Sequence, residues 1–282
     1  MKIEPMKSDK VKIIPEMADD LKRLGLALGD CLIVHSSYKS LGLQHYGPAD
    51  VIYTLVHVLG PDGTLMMPTF TYSYSGVSGG KPFNPQTTPG KANGILTETL
   101  RAFPQALRSE HPTYSVAAIG KNAEQITRNK EQASPLGRGS SYDEAYKLNA
   151  KILLLGVGNS GNSMIHYAEV MAELPYNDIP YRMFWGKTAD VESEGQAISV
   201  VLPHEFPGCS ANFGVVDAYL KAKGVMRCGQ VCKADSKLMD ARTMVARMVE
   251  RLRQEPAWLL CNHFACEPCA LRKQRLREKG LI

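Results

Sequence analysis

The stretch from Asp30 to Met67 constrains the fold more than any other part of the chain. Asp30 to Val34 is a short apolar run ending in His35-Ser36-Ser37, and Thr64-Leu65-Met66-Met67 is a second. Between them Ile52, Leu55, Val56 and Leu59 recur at helical spacing, and Gly60-Pro61-Asp62-Gly63 turns the chain into the second run. Short apolar runs without polar alternation read as strands buried on both faces, and a strand–helix–strand order makes those strands parallel. Lys151 to Val157 (Lys-Ile-Leu-Leu-Leu-Gly-Val) is the clearest further buried strand, followed by a Gly/Asn/Ser turn and a helix from about Met164 to Ala172. A helix over Ile95 to Ala102 and a strand over Tyr114 to Ile119 are also expected. Gly76 to Gly90 reads as a surface loop, long enough to be functional.

Beyond Pro180 the character changes. Met183–Trp185 and Ala197–Leu202 read as strands of an antiparallel element. Helices are expected at Phe213–Lys223 and Lys237–Gln254, the second with a stripe of Leu238, Ala241, Val245, Met248 and Leu252. The expected fold is α/β, a largely parallel or mixed central sheet flanked by helices. Residues 1–180 form this core, and residues 181–282 a smaller mixed lobe with a cysteine-rich tail, continuous with it.

Composition narrows the class. No run approaches the ~20 apolar residues that span a bilayer, and the segment from Met1 to Glu16 lacks the apolar core of a signal peptide. A cytosolic protein is expected. The net charge of +5 is a mild excess, densest in Arg272-Lys273-Gln274-Arg275-Leu276-Arg277-Glu278-Lys279, which reads as a solvated helical tail. No interleaved aromatics accompany it, so nucleic acid and membrane are not expected partners.

Two motifs fit their patterns and fail their contexts. Gly156-Val157-Gly158-Asn159-Ser160-Gly161 matches G-x-G-x-x-G. A dinucleotide fold then needs a second strand ending in a carboxylate ~20 residues on, where this chain has Leu174-Pro175-Tyr176-Asn177-Asp178-Ile179-Pro180. Gly76-Val77-Ser78-Gly79-Gly80 matches the nucleophile elbow, but Lys81-Pro82-Phe83-Asn84-Pro85 cannot begin the helix that must follow.

The strongest chemical signal is Ser163-Met164-Ile165-His166-Tyr167-Ala168-Glu169. With Ser163 as N-cap, His166 and Glu169 sit three residues apart on one helix face. The helix's positive end disfavours imidazolium in the first turn, and a neutral imidazole is what a general base requires. Glu169 would orient the ring and stabilise the cation once a proton arrives. From spacing alone, the pattern equally describes an ordinary capped helix with a buried histidine and a surface glutamate.

Four ordered stretches weigh against that plainer reading. They are His35-Ser36-Ser37 with Leu41-Gly42; Gly63 to Phe70 (Gly-Thr-Leu-Met-Met-Pro-Thr-Phe); Arg108 to Ser115 (Arg-Ser-Glu-His-Pro-Thr-Tyr-Ser); and Ile165-His166-Tyr167-Ala168-Glu169. Together they resemble the aminoglycoside N(3)-acetyltransferase family, from about residue 20 to about residue 230, and Phe83 to Glu98 fits the same pattern. The resemblance implies transfer of acetyl from acetyl-CoA to an amine of an aminoglycoside or similar aminosugar, without a covalent acetyl-enzyme. His166 would be the general base and Glu169 its support. Ser36, Ser37, Leu41 and Gly42 would line the coenzyme A site, with Arg108 and Ser109 on the other wall. His111 would shape the pocket, Thr69 would donate to the thioester oxygen, and Glu205, in His204-Glu205-Phe206-Pro207-Gly208-Cys209, is the candidate for a further acidic residue. Glu169, Glu173 and Asp178 are carboxylates suited to a polycationic substrate.

Six of the seven cysteines fall between Cys209 and Cys269. Cys261, Cys266 and Cys269 form C-x4-C-x2-C, three thiols for one zinc, and a closed site needs a fourth ligand. Cys209, Cys228, Cys232 and His263 are candidates, with Cys209 preferred. Reduced, partly buried thiols are the plainer alternative. A zinc-stapled binding module without catalysis and an NAD-dependent oxidoreductase are the competing functional readings.

Overall fold

The computed structural model describes residues 11–76, 81–90, 93–128, 134–179, 187–203 and 207–282. One seven-stranded mixed sheet organises the chain. Its first unit is as expected: β1 (Cys31–Ser36), α2 (Pro48–Leu59, preceded in the chain by α1, Pro15–Leu24) and β2 (Thr64–Pro68), with β1 and β2 parallel. After α3 (Ile95–Arg101) come β3 (Leu107–Arg108) and β4 (Val116–Gly120), then α4 (Ala123–Thr127) and α5 (Ser141–Lys147). The strand β5 (Lys151–Leu155) lies parallel to β1 and leads to α6 (Met164–Met171). A ribbon of β6 (Thr188–Ser193) and β7 (Gln196–Val201) precedes α7 (Val215–Ala222). The chain closes with β8 (Arg227–Val231), β9 (Ala234–Asp240), α8 (Ala241–Gln254) and α9 (Glu267–Glu278). Sheet order is β3-β4-β2-β1-β5-β9-β8. The central β2-β1-β5 trio is parallel, and the outer strands are antiparallel to their neighbours.

The unbroken apolar runs follow from two-sided burial. Side chains alternate across a strand, and both faces of this trio are covered. Ile33, Met66, Ile152 and Leu154 enter one core with residues of α5, α6, α8 and α9. Leu32, Val34, Leu65, Leu153 and Leu155 enter the other with α1, α2 and α3.

Two local expectations are corrected. The helix expected from Lys237 begins at Ala241, because Leu238 and Met239 pair with Leu153 and Ile152 and face opposite cores. Consecutive buried residues on opposite faces have the period of a strand, and Asp240 is still extended (φ −81°, ψ 133°). Gly156 of the G-x-G-x-x-G run has a φ of 70°, and a Cβ there would lie 2.5 Å from Ser40 Cβ, so the turn itself requires glycine. The next described strand after α6 is β6, which belongs to the separate ribbon. Finally, the basic tail is helical but not simply solvated, since Arg272 (1% exposed) and Leu276 of α9 are fully buried. The strand expected at Met183–Trp185, and Val77 to Gly80 of the elbow-like motif, lie outside the described residues. Among the described residues no helix is long and apolar enough to cross a membrane.

Candidate active site

In an open sheet with parallel strands, ligands bind beyond the carboxyl ends of those strands. Here β1, β2 and β5 end side by side at Ser36, Pro68 and Leu155. A cavity of about 430 Å³ opens there. Phe70, Tyr72 and Asn93 wall it on the β2 side, Ser160 to Ser163 and His166 on the β5 side, and Pro207, Gly208 and Ser210 on a third.

The turn after β5 sets the start of α6. Ser163 does not cap the helix; its own backbone is already helical (φ −65°, ψ −19°). The amide of Met164 donates instead to Asn162 Oδ1 at 3.2 Å. Asn162 is in turn held by Asn159 (2.9 Å), Asn159 by Asp217 (2.6 Å), and Asp217 by Lys237 of β9 (2.9 Å). This polar chain, buried at Asn159 and Asn162, ties α6 to the sheet, and Ser163 lines the cavity.

His166 lines the cavity and its Nδ1 lies 2.6 Å from Glu169 Oε2. A carboxylate in its ionised form can only accept, so the contact calls for the hydrogen on Nδ1. The ring packs 4.8 Å from that of Phe213, and its side chain is 11% exposed. Glu169 is buried at 4%, and its other oxygen lies 3.9 Å from Nη1 of Arg272. Sequence reasoning missed Arg272. It lies 103 residues from Glu169, in a run whose composition reads as surface, so only its helical phase relative to Cys269 and Leu276 could have signalled burial.

The expected coenzyme residues divide into two groups. Ser36 and Ser37 are partly open at the end of β1, followed by a 3-10 turn over Tyr38–Leu41. Ser37 accepts from Ser40 at 2.9 Å, and Gly42 closes the turn at φ 65° against the stem of Lys233. Leu41 is buried beneath. The other wall is more committed. Arg108 Nε donates to the hydroxyls of Thr69 and Ser115 (both 3.2 Å), Nη1 to the carbonyls of Pro85 and Thr88, and Nη2 to that of Thr69 (3.0 Å). Its guanidinium, also stacked 5.1 Å from the Phe83 ring centroid, is a clamp on the loop. Burial lowers its pKa to about 10, with the nearby Arg101 adding to the effect. Thr69 and Ser109 are fully buried; Thr69 bonds Ser115 at 3.0 Å, and Ser109 Oγ accepts from the Val116 amide at 3.0 Å. His111 is also buried, its Nδ1 accepting from the amides of Thr113 (3.3 Å) and Tyr114 (3.1 Å). Thr69, Arg108, Ser109 and His111 therefore support the cavity wall from behind.

Among the described residues lining the cavity there is no carboxylate. Glu173 is exposed and Asp178 pairs with Arg275 at 3.3 Å on the surface. Glu205 lies outside the described residues.

Elsewhere, the sulfurs of Cys209, Cys261, Cys266 and Cys269 all lie within 4.8 Å of one another, with Cys209 and Cys261 at 3.9 Å. Of the alternatives for a fourth member, Cys228 and His263 are exposed, and Cys232 sits beside α1 at Asp20. Disulfide sulfurs sit ~2.05 Å apart, and all four cysteines are free. A hydrogen bond from Cys269 is the main reason that the Cys209 thiol lies below its ordinary value, at about 5; the Cys269 thiol is correspondingly raised.

The mixed sheet, with a histidine–carboxylate pair beyond its parallel strand ends, makes this an α/β fold with a candidate catalytic site. The family model described as aminoglycoside 3-N-acetyltransferase matches residues 33–253, and the chain belongs to that family. It is 34% identical over 242 residues to aminoglycoside N(3)-acetyltransferase IV of Salmonella sp, covering 86% of this chain and 87% of the relative. It is 30% identical to aminoglycoside N(3)-acetyltransferase VII of Streptomyces paromomycinus, covering 85% and 92%. The crystal structure of apo aminoglycoside acetyltransferase AAC(3)-IVa superposes with a TM-score of 0.81 at 32% identity, over 96% of this chain and 100% of that one. A mutant of that enzyme with one histidine replaced by alanine has been solved in complex with a gentamicin (TM-score 0.80, 32% identity, 95% and 99% covered). AAC-IIIb has been solved with coenzyme A (TM-score 0.72, 27% identity, 84% and 95% covered).

Proposed function

We propose that this enzyme transfers acetyl from acetyl-CoA to the 3-amino group of a 2-deoxystreptamine aminoglycoside, or to a similar aminosugar amine, by direct attack with His166 as general base. The observation that carries the reading is the 2.6 Å bond from His166 Nδ1 to Glu169 at the rim of a cavity beyond the parallel strand ends. With Nδ1–H directed at the carboxylate, the free Nε2 lone pair takes the proton from the amine as its nitrogen bonds to the thioester carbon. The carbon–sulfur bond breaks, coenzyme A leaves as thiolate, and the imidazolium proton returns to it. Glu169 stabilises the transient imidazolium. No cysteine is needed as nucleophile, and the four clustered thiols lie behind the wall.

Ser36 and Ser37, at the end of β1, are suited to meet the coenzyme with short hydroxyls, beside the turn that Gly42 closes. Asn93, Ser160, Ser210 and Tyr72 supply neutral hydrogen-bonding groups for an amino- and hydroxyl-rich acceptor. Thiol release from acetyl-CoA with a panel of 2-deoxystreptamine aminoglycosides tests the reading. Turnover is expected to fall about 10³-fold or more in a folded His166→Ala variant. Undiminished turnover there would end the general-base assignment.

The cysteine cluster is further read as a structural zinc site. Four thiolates at ~2.3 Å from a tetrahedral centre have sulfur–sulfur edges of ~3.8 Å, close to the 3.9 Å between Cys209 and Cys261. Bound there, zinc would tie the pocket-wall segment carrying Cys209 to the first turn of α9. Metal analysis of the purified protein is expected to give about one zinc per chain.

A further inference from the structure

The His166–Glu169 pair has a buried neighbour that comes from α9. Cys269 and Arg272 are three residues apart on α9 and face the same way, as does Leu276 one turn on. The face that contributes a thiol to the cysteine cluster therefore also carries a guanidinium inward. The centre of that guanidinium lies 5.0 Å from the Tyr176 ring centroid, Nη2 donates to the carbonyl of Ile179, and Nη1 is 3.9 Å from Glu169 Oε1. Glu169 is thus spanned: His166 takes Oε2 and Arg272 faces Oε1.

The pocket wall is shaped around the same group. A Cβ on Gly208 would lie 2.1 Å from Arg272 Nη1 and 2.7 Å from its central carbon. Gly208 lines the cavity and neighbours Cys209 in the chain. Two segments remote in sequence, 207–210 and α9, therefore meet at the cysteine cluster and again at Arg272. A charge this deeply buried is retained at high cost unless it is paired, and Glu169 lies within ion-pair range of it.

We infer that Arg272 is a positioning residue for the reaction: it holds the Glu169 carboxylate in the rotamer that orients the His166 ring. The inference rests on the His166–Glu169 reading given above. Without the guanidinium, Glu169 keeps only one of its two anchors, the ring's Nε2 wanders from the acceptor amine, and turnover suffers while substrate binding does not.

The test is a double-mutant cycle on the full-length, metal-replete protein. Arg272→Met is expected to lower kcat about tenfold or more, since small misplacements of catalytic groups cost that much. KM for acetyl-CoA should stay within about twofold and zinc content should be unchanged, because neither depends on the guanidinium. Arg272→Lys, which keeps a cation, should recover part of kcat. In a Glu169→Gln background the further loss from Arg272→Met should shrink to less than about twofold, the signature of two residues acting through one group. Should Arg272→Met fail to fold, Gly208→Ala displaces the guanidinium without removing it and enters the same cycle. Additive losses, or a folded Arg272→Met with undiminished kcat, would overturn the inference. His166→Ala distinguishes the two failures: if it abolishes turnover while Arg272→Met does not, only the role of Arg272 is lost.

Discussion

At the scale of single residues, the chain separates groups that meet substrate from groups that build the wall. Arg108 is the clearest of the second kind. Its five hydrogen bonds end on Thr69, Ser115, Pro85 and Thr88, so its removal strands buried carbonyls and hydroxyls. Arg108→Met is expected to lower unfolding free energy by about 3 kcal/mol in a denaturant titration. Arg108→Lys should restore less than half of that, because an ammonium cannot reproduce the fork. A variant as stable as the parent but defective in acetyl-CoA binding would instead return the guanidinium to the pyrophosphate. His166 and Glu169 were legible in the sequence because their relation is local: three residues apart on one short helix fix their proximity. Arg272 was not legible. Its burial depends on where α9 docks, and neighbours such as Lys273 and Arg277 give the run the composition of a solvated surface.

Among the elements, α6 matters most, and it is fixed from two sides. The asparagine chain holds its first turn, and Tyr167 donates to Asp143 of α5 at 2.8 Å from its far face. Burial alone would raise the Asp143 carboxyl. Hydrogen bonds from Lys147, the Gly139 amide and Tyr167 outweigh burial and hold it below its ordinary value. A carboxyl lowered on folding contributes stability that is complete above its unfolded pKa of ~3.9 and is lost as pH falls through the folded value. The parent should therefore lose stability between about pH 5 and pH 3 more steeply than Asp143→Asn. At pH 7 Tyr167→Phe should cost about 1–2 kcal/mol. Equal pH slopes for parent and Asp143→Asn in thermal unfolding would contradict this. The parallel trio was legible for a different reason: two-sided burial writes unbroken apolar runs into β1, β2 and β5. The same rule explains the error at Lys237–Asp240, where an adjacent helical stripe masked a strand whose Leu238 and Met239 face opposite cores.

For the molecule as a whole, the decisive question is what keeps its last quarter against the sheet. The strands β8 and β9 extend the main sheet beyond β5, and α8 packs into the core shared with α6. The segment after Gln254 is different. Among the described residues, Leu259, Leu260, Cys261, Cys269, Arg272 and Leu276 are its main buried groups, and two of the six are thiols. Trp258 and Leu271 pack partly buried against the same core, and metal binding to preformed thiolates can add to that hold. Unfolding free energy is not uniform along a chain, so removal of zinc should open this segment before the sheet. In hydrogen exchange, chelation is expected to erase amide protection from about residue 261 to 279 and to loosen 207–210, while β1 and β5 stay protected. Because α9 carries Arg272, chelated enzyme should also lose turnover while its sheet remains folded. Cys269→Ser should reproduce both effects without chelator. Should exchange at 261–279 be indifferent to chelator, with zinc well below one per chain, the thiols are packing groups, and α9 is held without metal by its packing, hydrogen bonds and ion pairs.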